Sequence, residues 1–281
     1  MSETPEVIGL VAGSGRLPTL VAQAVREAGA QVAIIAHEGE SDPALEAEAD
    51  FFRWVKLGQL GRVRAALQEA GVRRATMAGG VKKVRFFRDA RPDAAALKVI
   101  ARVVTSRGDD KLLRVIASYF EEAGIEIVGA TELAPGLLAG EGVWGRHRPS
   151  KGQRQDIEVG ARLLEAMGPL DIGQAVVVKD QVVLAVEAAE GTDACVERGG
   201  ALGGGDVVVV KRPKPGQDLR FDLPAVGPGT VETLARAGGG VLAVEAGRTI
   251  VLEREALIAA ADRLGIAVVG VAPPAPAPEA P

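Results

Sequence analysis

Cysteine and histidine are nearly absent from this chain. Cys195 is the only cysteine, and His37 and His147 are the only histidines. A disulfide within the chain, a zinc-thiolate cluster and a multi-histidine metal site are therefore excluded. A bound metal must be held by carboxylates, whose oxygens favour Mg²⁺ or Mn²⁺. No histidine lies near Cys195 in the sequence, so we expect a buried cysteine rather than a nucleophile.

Aromatic residues and net charge are also low. Phe, Trp and Tyr make up 3% of the chain, too few for a platform that stacks nucleic-acid bases. The formal net charge is −4, whereas a general nucleic-acid-binding domain is basic. We therefore expect no nucleic-acid partner. The basic residues form local clusters instead, and these indicate a small anionic ligand.

Long apolar runs are missing as well. No stretch reaches the roughly 18 apolar residues of a membrane span. Residues 1–13 carry acids and no basic segment before the first apolar run, which is unlike a secretory signal. These features predict a cytoplasmic protein. Residues 273–281 (PPAPAPEAP) predict an extended, low-complexity tail.

The first half repeats a pattern of strand, glycine turn, helix and strand. Apolar runs at 7–12 and 31–36 flank a helical period over 17–28. This βαβ pattern is typical of parallel sheets. Further strands are predicted at 51–57, 74–78 and 125–128, and further helices at 61–70, 92–105 and 110–123. Residues 1–132 are therefore predicted to form an N-terminal, doubly wound, Rossmann-like α/β domain.

Three polar segments follow predicted strands or precede a predicted helix. In parallel α/β sheets, ligands bind at the carboxyl ends of the strands. The three segments are residues 13–16 (GSGR), 79–83 (GGVKK) and 107–111 (RGDDK). Residues 13–16 open the first helix, whose free N–H groups can bind an oxyanion. The two glycines of this segment would equally suit a tight turn with no ligand. Asp109 or Asp110 would cap a later helix. Pro18 replaces the third glycine of the dinucleotide fingerprint, but Glu38 would suit a ribose, so NAD binding stays open.

The second half mixes hairpins with helices. Residues 131–149 lack clear periodicity and are interpreted as a linker or a ligand-covering loop. Apolar runs at 174–178 and 182–186 predict a hairpin, and runs at 240–245 and 249–252 predict a second pair of strands. Thr192 or Asp193 is expected to cap a helix. Residues 133–272 are therefore predicted to form a C-terminal mixed α/β domain that carries the catalytic residues.

A polar stretch, residues 211–229 (KRPKPGQDLRFDLPAVGPG), follows a buried strand predicted at 206–210. It holds four cations and two carboxylates: Lys211, Arg212, Lys214, Arg220, Asp218 and Asp222. Cations bind phosphate oxygens, and a carboxylate binds a metal or orients water. A salt-bridged surface loop, with Asp218 paired to Arg220, is the structural alternative.

Five motifs occur in order along the chain. They are residues 12–18 (AGSGRLP), 107–114 (RGDDKLLR), 170–174 (LDIGQ), 185–193 (AVEAAEGTD) and 214–224 (KPGQDLRFDLP). Together they resemble the LpxI family, the UDP-2,3-diacylglucosamine pyrophosphatases of lipid A synthesis. The resemblance runs from about Ile8 to Gly270, and the long motifs of the second half are its specific part.

The resemblance implies hydrolysis of UDP-2,3-diacylglucosamine to UMP and 2,3-diacylglucosamine 1-phosphate. It also implies Mg²⁺ dependence, a ligand in the cleft between two domains, and transient contact with the inner-membrane surface. The residues expected to bind the substrate or its phosphates are Gly13, Ser14, Gly15, Leu17, Gln174, Thr192, Lys214 and Arg220. Asp222 is expected to be essential, and the expected metal ligands are Asp222, Asp193 and Glu187. Whether the chain forms a homo-oligomer is left open.

Two other functions remain as alternatives. The βαβ start and Glu38 suit an NAD(P)-dependent oxidoreductase. Pro18 is evidence against that function, because the dinucleotide fingerprint requires a glycine at its position. A non-enzymatic carrier would hold a phospholipid-like ligand. A carrier of anions, however, gains nothing from Asp218 and Asp222 among its cations, so we favour the pyrophosphatase.

Overall fold

A computed structural model describes residues 5–81, 91–103, 109–170, 172–214, 218–221 and 223–273. Backbone packing divides the chain into two compact units. The N-terminal unit comprises residues 1–136 together with 218–221, and the C-terminal unit comprises residues 137–217 and 222–281. Asp218–Phe221 thus lie with the N-terminal unit, whereas the sequence placed them in the C-terminal domain.

The described strands of the N-terminal unit form one sheet. They are β1 (Val7–Ala12), β2 (Gln31–His37), β3 (Phe51–Val55), β4 (Arg74–Ala78) and β5 (Glu126–Ile127). Their order is β3-β2-β1-β4-β5, and these pairings are parallel. The chain winds outward from β1 to β3 and then returns to β4 and β5. This order confirms the doubly wound, Rossmann-like fold.

Helices connect these strands and cover the sheet. They are α1 (Leu17–Glu27), α2 (Leu60–Glu69), α3 (Ala94–Val103), α4 (Asp109–Glu121) and the single turn α5 (Ala130–Leu133). Pro18 lies in the first turn of α1, where its missing N–H removes no helical hydrogen bond. Ile35, Leu67 and Phe120 are buried in the core that joins the sheet to the helices.

The C-terminal unit is built on a mixed sheet. The described strands are β6 (Gly142–Trp144), β7 (Ala175–Lys179), β8 (Val182–Val186), β9 (Val207–Lys211), β10 (Ala225–Val226), β11 (Gly239–Glu245), β12 (Ile250–Val251) and β13 (Ala267–Val271). The sheet order is β6-β13-β11-β9-β7-β8, and β10 pairs separately with β12. Strands β9, β11 and β13 are parallel, and β6, β7 and β8 pair antiparallel to their neighbours. This confirms a mixed α/β fold.

Two details of the predicted C-terminal fold are wrong. The β7–β8 hairpin is confirmed, but β11 and β12 do not pair with each other. The predicted linker contains β6, which pairs antiparallel with β13. A three-residue strand has no readable periodicity, and its position depends on long-range packing such as the burial of Trp144.

Four longer helices cover the two faces of this sheet. They are α6 (Lys151–Met167), α7 (Thr192–Gly203), α8 (Pro228–Arg236) and α9 (Arg254–Leu264). Helix α6 begins with a capping box, in which Ser150 Oγ accepts from Gln153 N at 3.2 Å and Gln153 Oε1 accepts from Ser150 N at 2.8 Å. In the part of the chain that is described, no helix has both the length and the apolar character needed to cross a membrane.

Candidate functional site

The turn after β1 is hydrogen-bonded to the turn after β4. Gly13 N donates to Ala78 O at 2.8 Å, and Ser14 N donates to Gly80 O at 2.8 Å. Gly80 N donates back to Ser14 O at 3.0 Å, and Ser14 Oγ donates to Gly80 O at 2.9 Å. The N–H and hydroxyl groups of Ser14 are therefore engaged within the protein. Phosphate binding by Ser14 stays a prediction that would require these bonds to exchange.

Glycine is required on both sides of this junction. A Cβ on Gly13 would lie 2.5 Å from Gly80 O, and a Cβ on Gly79, whose φ is +92°, would lie 2.6 Å from Ser14 O. Tight packing therefore explains Gly13. At Gly15 nothing lies within 4 Å of the Cβ position, but its φ of +91° is a backbone conformation that favours glycine. Substrate contacts by Gly15, and by Leu17 at the start of α1, stay predictions.

A polar cluster joins the carboxyl ends of β1, β2 and β3. Ser41 Oγ donates to Ala12 O at 2.7 Å and accepts from His37 N at 2.8 Å. His37 Nδ1 lies 3.4 Å from Val55 O. Burial lowers the pKa of His37, and the Val55 carbonyl and the charge of Glu40 offset part of that effect. We assign His37 as a neutral ring whose Nδ1–H donates to Val55 O.

The N-terminal unit is expected to lose stability as the pH falls below about 6.5, the usual pKa of histidine. The unfolded chain binds a proton at His37 more readily than the folded chain, so protonation favours unfolding until the lowered folded-state pKa is passed. His37→Gln is expected to flatten this dependence. Urea unfolding at several pH values, followed by Trp54 fluorescence in a Trp144→Phe background, measures it.

The control for this prediction is His147→Gln, which leaves His37 in place and should retain the loss of stability in acid. Trp54 lies on β3 of the N-terminal unit and Trp144 on β6 of the C-terminal unit, so each tryptophan reports on one unit. An equal acid-side loss in His37→Gln and in the parent protein would contradict the prediction.

Asp218–Phe221 form a charged contact inside the N-terminal unit. Arg220 donates from Nε to Asp218 Oδ1 at 3.1 Å and from Nη2 to Asp218 Oδ2 at 3.0 Å. Arg220 Nη1 also donates to Glu121 Oε1 at 3.1 Å, and Arg114 Nε lies 3.6 Å from Asp218 Oδ2. The hydrogen bonds from Arg220 lower the pKa of Asp218. The ion pair expected as the structural alternative is thus present, and phosphate binding by Arg220 stays a prediction.

Several predicted residues lie outside the described part of the chain. They include Asp222, Lys82, Lys83, Arg107, Gly108, the side chains of Asp109 and Asp110, and the tail residues 274–281. Lys214 is described, is half-buried and interacts with other groups. Its contact with phosphate and the essential role of Asp222 stay predictions.

Three predicted site residues meet in the C-terminal unit. Gln174 N donates to Glu187 Oε2 at 3.1 Å, and Thr192 Oγ1 donates to Glu187 Oε1 at 2.9 Å. Glu187 N donates to Ala175 O at 2.9 Å, which holds the end of β8 beside the start of β7. The capping role predicted for Thr192 or Asp193 is wrong, because α7 is capped by Gly191 without a side-chain hydrogen bond. The Thr192 hydroxyl bonds to Glu187 instead.

Lys211 joins this cluster, although the sequence marked it only as one cation of the polar stretch. Its Nζ donates to Thr192 Oγ1 at 3.2 Å and to Ala225 O at 3.0 Å. Lys211 is only 9% exposed. The available signal in the sequence was a charged residue that ends a buried run of valines. The C-terminal cluster therefore consists of Gln174, Glu187, Thr192 and Lys211.

Arg212 follows Lys211 but lies on the opposite face of the sheet, against α6. Its Nε donates to Glu245 Oε2 at 2.6 Å, and its Nη1 donates to Ala161 O at 2.9 Å. Arg248 Nη1 donates to the other carboxylate oxygen of Glu245 at 3.0 Å. The Glu245 side chain is fully buried and the Arg212 side chain is 5% exposed. This ion pair joins the ends of β9 and β11, and Arg212 connects them to α6.

Carboxylates are not clustered in groups of three in the described part of the chain. Among the described residues, no group of three or more His, Cys, Asp or Glu side chains is placed to hold an ion. Both carboxylate oxygens of Glu187 accept hydrogen bonds, and Asp193 is exposed at a cavity of about 430 Å³ beside the start of α8. Metal binding by Asp222, Asp193 and Glu187 stays a prediction.

Cys195 is buried on α7, as expected. Burial raises the pKa of its thiol to about 11. Because the thiolate is the nucleophilic form, a thiol that stays protonated at neutral pH is a poor nucleophile. The C-terminal cluster itself offers one carboxylate, one hydroxyl and one ammonium group.

Similarity to solved structures is remote. A pyruvate carboxylase from Rhizobium etli is 15% identical over 62% of this chain, with a TM-score of 0.30, and the chain spans 14% of that protein. A biotin carboxylase from Campylobacter jejuni is 11% identical over 69% of this chain, with a TM-score of 0.29, and the chain spans 41% of it. Likenesses this weak carry no argument about fold or function.

Known families and a curated relative match nearly the whole chain. The LpxI N-terminal domain matches residues 7–137, and the LpxI C-terminal domain matches residues 140–269. The UDP-2,3-diacylglucosamine pyrophosphatase LpxI of Caulobacter vibrioides is 39% identical over 278 residues, covering 95% of this chain and 98% of the relative. The chain therefore belongs to the LpxI family.

Proposed function

We propose that this protein hydrolyses the diphosphate of UDP-2,3-diacylglucosamine. Water adds across the phosphoric anhydride, one P–O bond breaks, and UMP and 2,3-diacylglucosamine 1-phosphate are released. The observation that carries the proposal is the 39% identity, over 95% of the chain, with the Caulobacter vibrioides pyrophosphatase. The two matched LpxI domains agree with it.

The chain's own residues would bind and neutralise the diphosphate. Its negative charge must be offset before water can attack phosphorus, and positioning and electrostatics dominate such reactions. Lys214 and Arg220 would hold phosphate oxygens, and Gln174 and Thr192 would contact the ligand from the C-terminal cluster. Residues 13–17, which form the turn that leads into α1, would line the site for the uridine or a phosphate.

The proposal includes a divalent cation, Mg²⁺ or Mn²⁺. The single cysteine and two histidines leave carboxylates as the available ligands, and Asp222 would hold the ion together with Asp193 and Glu187. A bound ion would neutralise charge on the diphosphate and lower the pKa of a coordinated water. Asp222 would also orient the attacking water.

The proposed substrate carries two acyl chains, which prefer the apolar interior of a bilayer to water. The proposal therefore includes transient contact between a cytoplasmic enzyme and the inner-membrane surface. Such contact would let the enzyme take its substrate from the membrane and return the acylated product to it.

The test is to incubate the pure protein with UDP-2,3-diacylglucosamine and Mg²⁺ and to measure UMP. UMP is expected with Mg²⁺, none with excess chelator, and little from UDP-glucosamine, which lacks the acyl chains. No UMP from the wild-type protein would overturn the proposal. Ligand binding without turnover under Mg²⁺ or Mn²⁺ would favour a carrier, and NAD(P)H binding detected by fluorescence would favour an oxidoreductase.

A further inference from the structure

Lys211 lies where two strand ends and a helix start meet. Val207, Val209 and Lys211 alternate with Val208 and Val210, so the lysine extends from the face of the sheet that α7 and α8 cover. There its ammonium contacts Thr192 Oγ1 at 3.2 Å and Ala225 O at 3.0 Å. One buried cation thus connects the first residue of α7 to the first residue of β10.

Lys211 acts on two residues of the C-terminal cluster at once. The Thr192 hydroxyl accepts from the Lys211 ammonium at 3.2 Å and donates to Glu187 Oε1 at 2.9 Å. Because a hydroxyl has one proton, the donor on one side fixes the direction in which Thr192 donates on the other. The Lys211 ammonium therefore orients a residue that is expected to contact the substrate.

We propose that Lys211 is a positioning residue for the hydrolysis and acts through Thr192. Its ammonium fixes the Thr192 hydroxyl against Glu187, and the same ammonium holds β10 at Ala225, three residues after Asp222 in the chain. This inference rests on the proposed function. A displacement of about 1 Å in a reacting geometry lowers a rate by about 10²-fold, so loss of this cation acts on kcat.

The experiment measures kcat and KM for Lys211→Met, Thr192→Val and the double variant. Lys211→Met keeps the length of the side chain and removes its charge. We expect kcat to fall about 10²-fold and KM to change less than about threefold. The kcat of the double variant should lie within about threefold of the kcat of the slower single variant, because both changes break the same interaction.

Lys179→Met is the matched control. Lys179 ends β7, at the other end of the sheet, and its Nζ also donates to a backbone carbonyl, Gly203 O, at 2.8 Å. This variant should keep the wild-type kcat. The inference is overturned by a Lys211→Met kcat within threefold of wild type, or by rate losses that add in full in the double variant.

Two further outcomes are distinguishable. If Lys211→Met does not fold, Lys211→Arg and Thr192→Val replace it in the test. A wild-type kcat in Thr192→Val overturns the inference. Partial activity in Lys211→Arg, together with a reduced kcat in Thr192→Val, supports it. If the wild-type protein and Lys179→Met both release no UMP, the proposed function itself fails and the inference falls with it.

Discussion

Asp222→Asn is expected to lower the rate of UMP release about 10²–10⁴-fold at saturating substrate, while the protein stays folded. Asparagine keeps the shape of the side chain but can neither accept a proton from water nor contribute negative charge to a metal site. The loss should therefore appear in kcat. Steady-state UMP release and a thermal unfolding curve for the same preparation measure both parts of the prediction.

Asp218→Asn is the matched control, in the same segment four residues earlier. The Asp218 carboxylate pairs with Arg220 and Arg114, and its partners are partly exposed. Removing its charge should therefore cost about 1 kcal/mol of stability and leave most of the activity. UMP release from Asp222→Asn equal to that from Asp218→Asn would show that Asp222 has no special role.

Glu245→Leu is expected to lower the free energy of unfolding of the C-terminal unit by about 3–5 kcal/mol. Glu245 is fully buried and accepts from Arg212 Nε at 2.6 Å and from Arg248 Nη1 at 3.0 Å. Its loss leaves the Arg212 guanidinium, 5% exposed, without its main counter-charge. Arg248 is more exposed and can turn to solvent. Urea unfolding followed by Trp144 fluorescence in a Trp54→Phe background reports this unit.

Two comparisons distinguish the cost of leaving a buried charge unpaired from the cost of losing an ion pair. The double variant Arg212→Met and Glu245→Leu removes both charges and should recover much of the stability, because apolar groups of similar volume can replace a buried pair. Glu69→Leu breaks the Arg53–Glu69 pair of the N-terminal unit, which is nearly as short, at 2.8 Å, but is exposed. It should cost about 0.2–1 kcal/mol. Trp54 fluorescence in the Trp144→Phe background reports its effect. A Glu245→Leu effect no larger than that of Glu69→Leu would refute the argument.

The N-terminal unit could be predicted from the sequence in most of its elements. Its strands are short buried runs separated by glycine turns and amphipathic helices, so each element has a local signal. β1 and β4 begin and end at the residues that the apolar runs predicted.

The ligand cleft between the two domains stays a prediction.

The C-terminal unit shows where local signals fail. β6 has three residues and therefore no readable period, and its partner β13 is distant in the chain. β12 was predicted as a strand but with the wrong partner, because β10, with which it pairs, has only two residues. The family motifs did mark Gln174, Glu187 and Thr192, which the structure brings together. The motifs did not single out Lys211, because its contacts depend on the pairing of β9 with β7. They also did not show that Asp218–Phe221 pack with the N-terminal unit.

The membership of residues 218–221 in the N-terminal unit affects how the protein is made. Residues 137–217 emerge from the ribosome between the two pieces of that unit. At about 5–20 residues per second, the wait is roughly 4–16 s. During this time the Glu121 carboxylate and the Ile127 carbonyl lack Arg220, and the apolar core residues against which Phe221 packs lack that contact. The first unit to be translated is therefore completed only after much of the second has been synthesised.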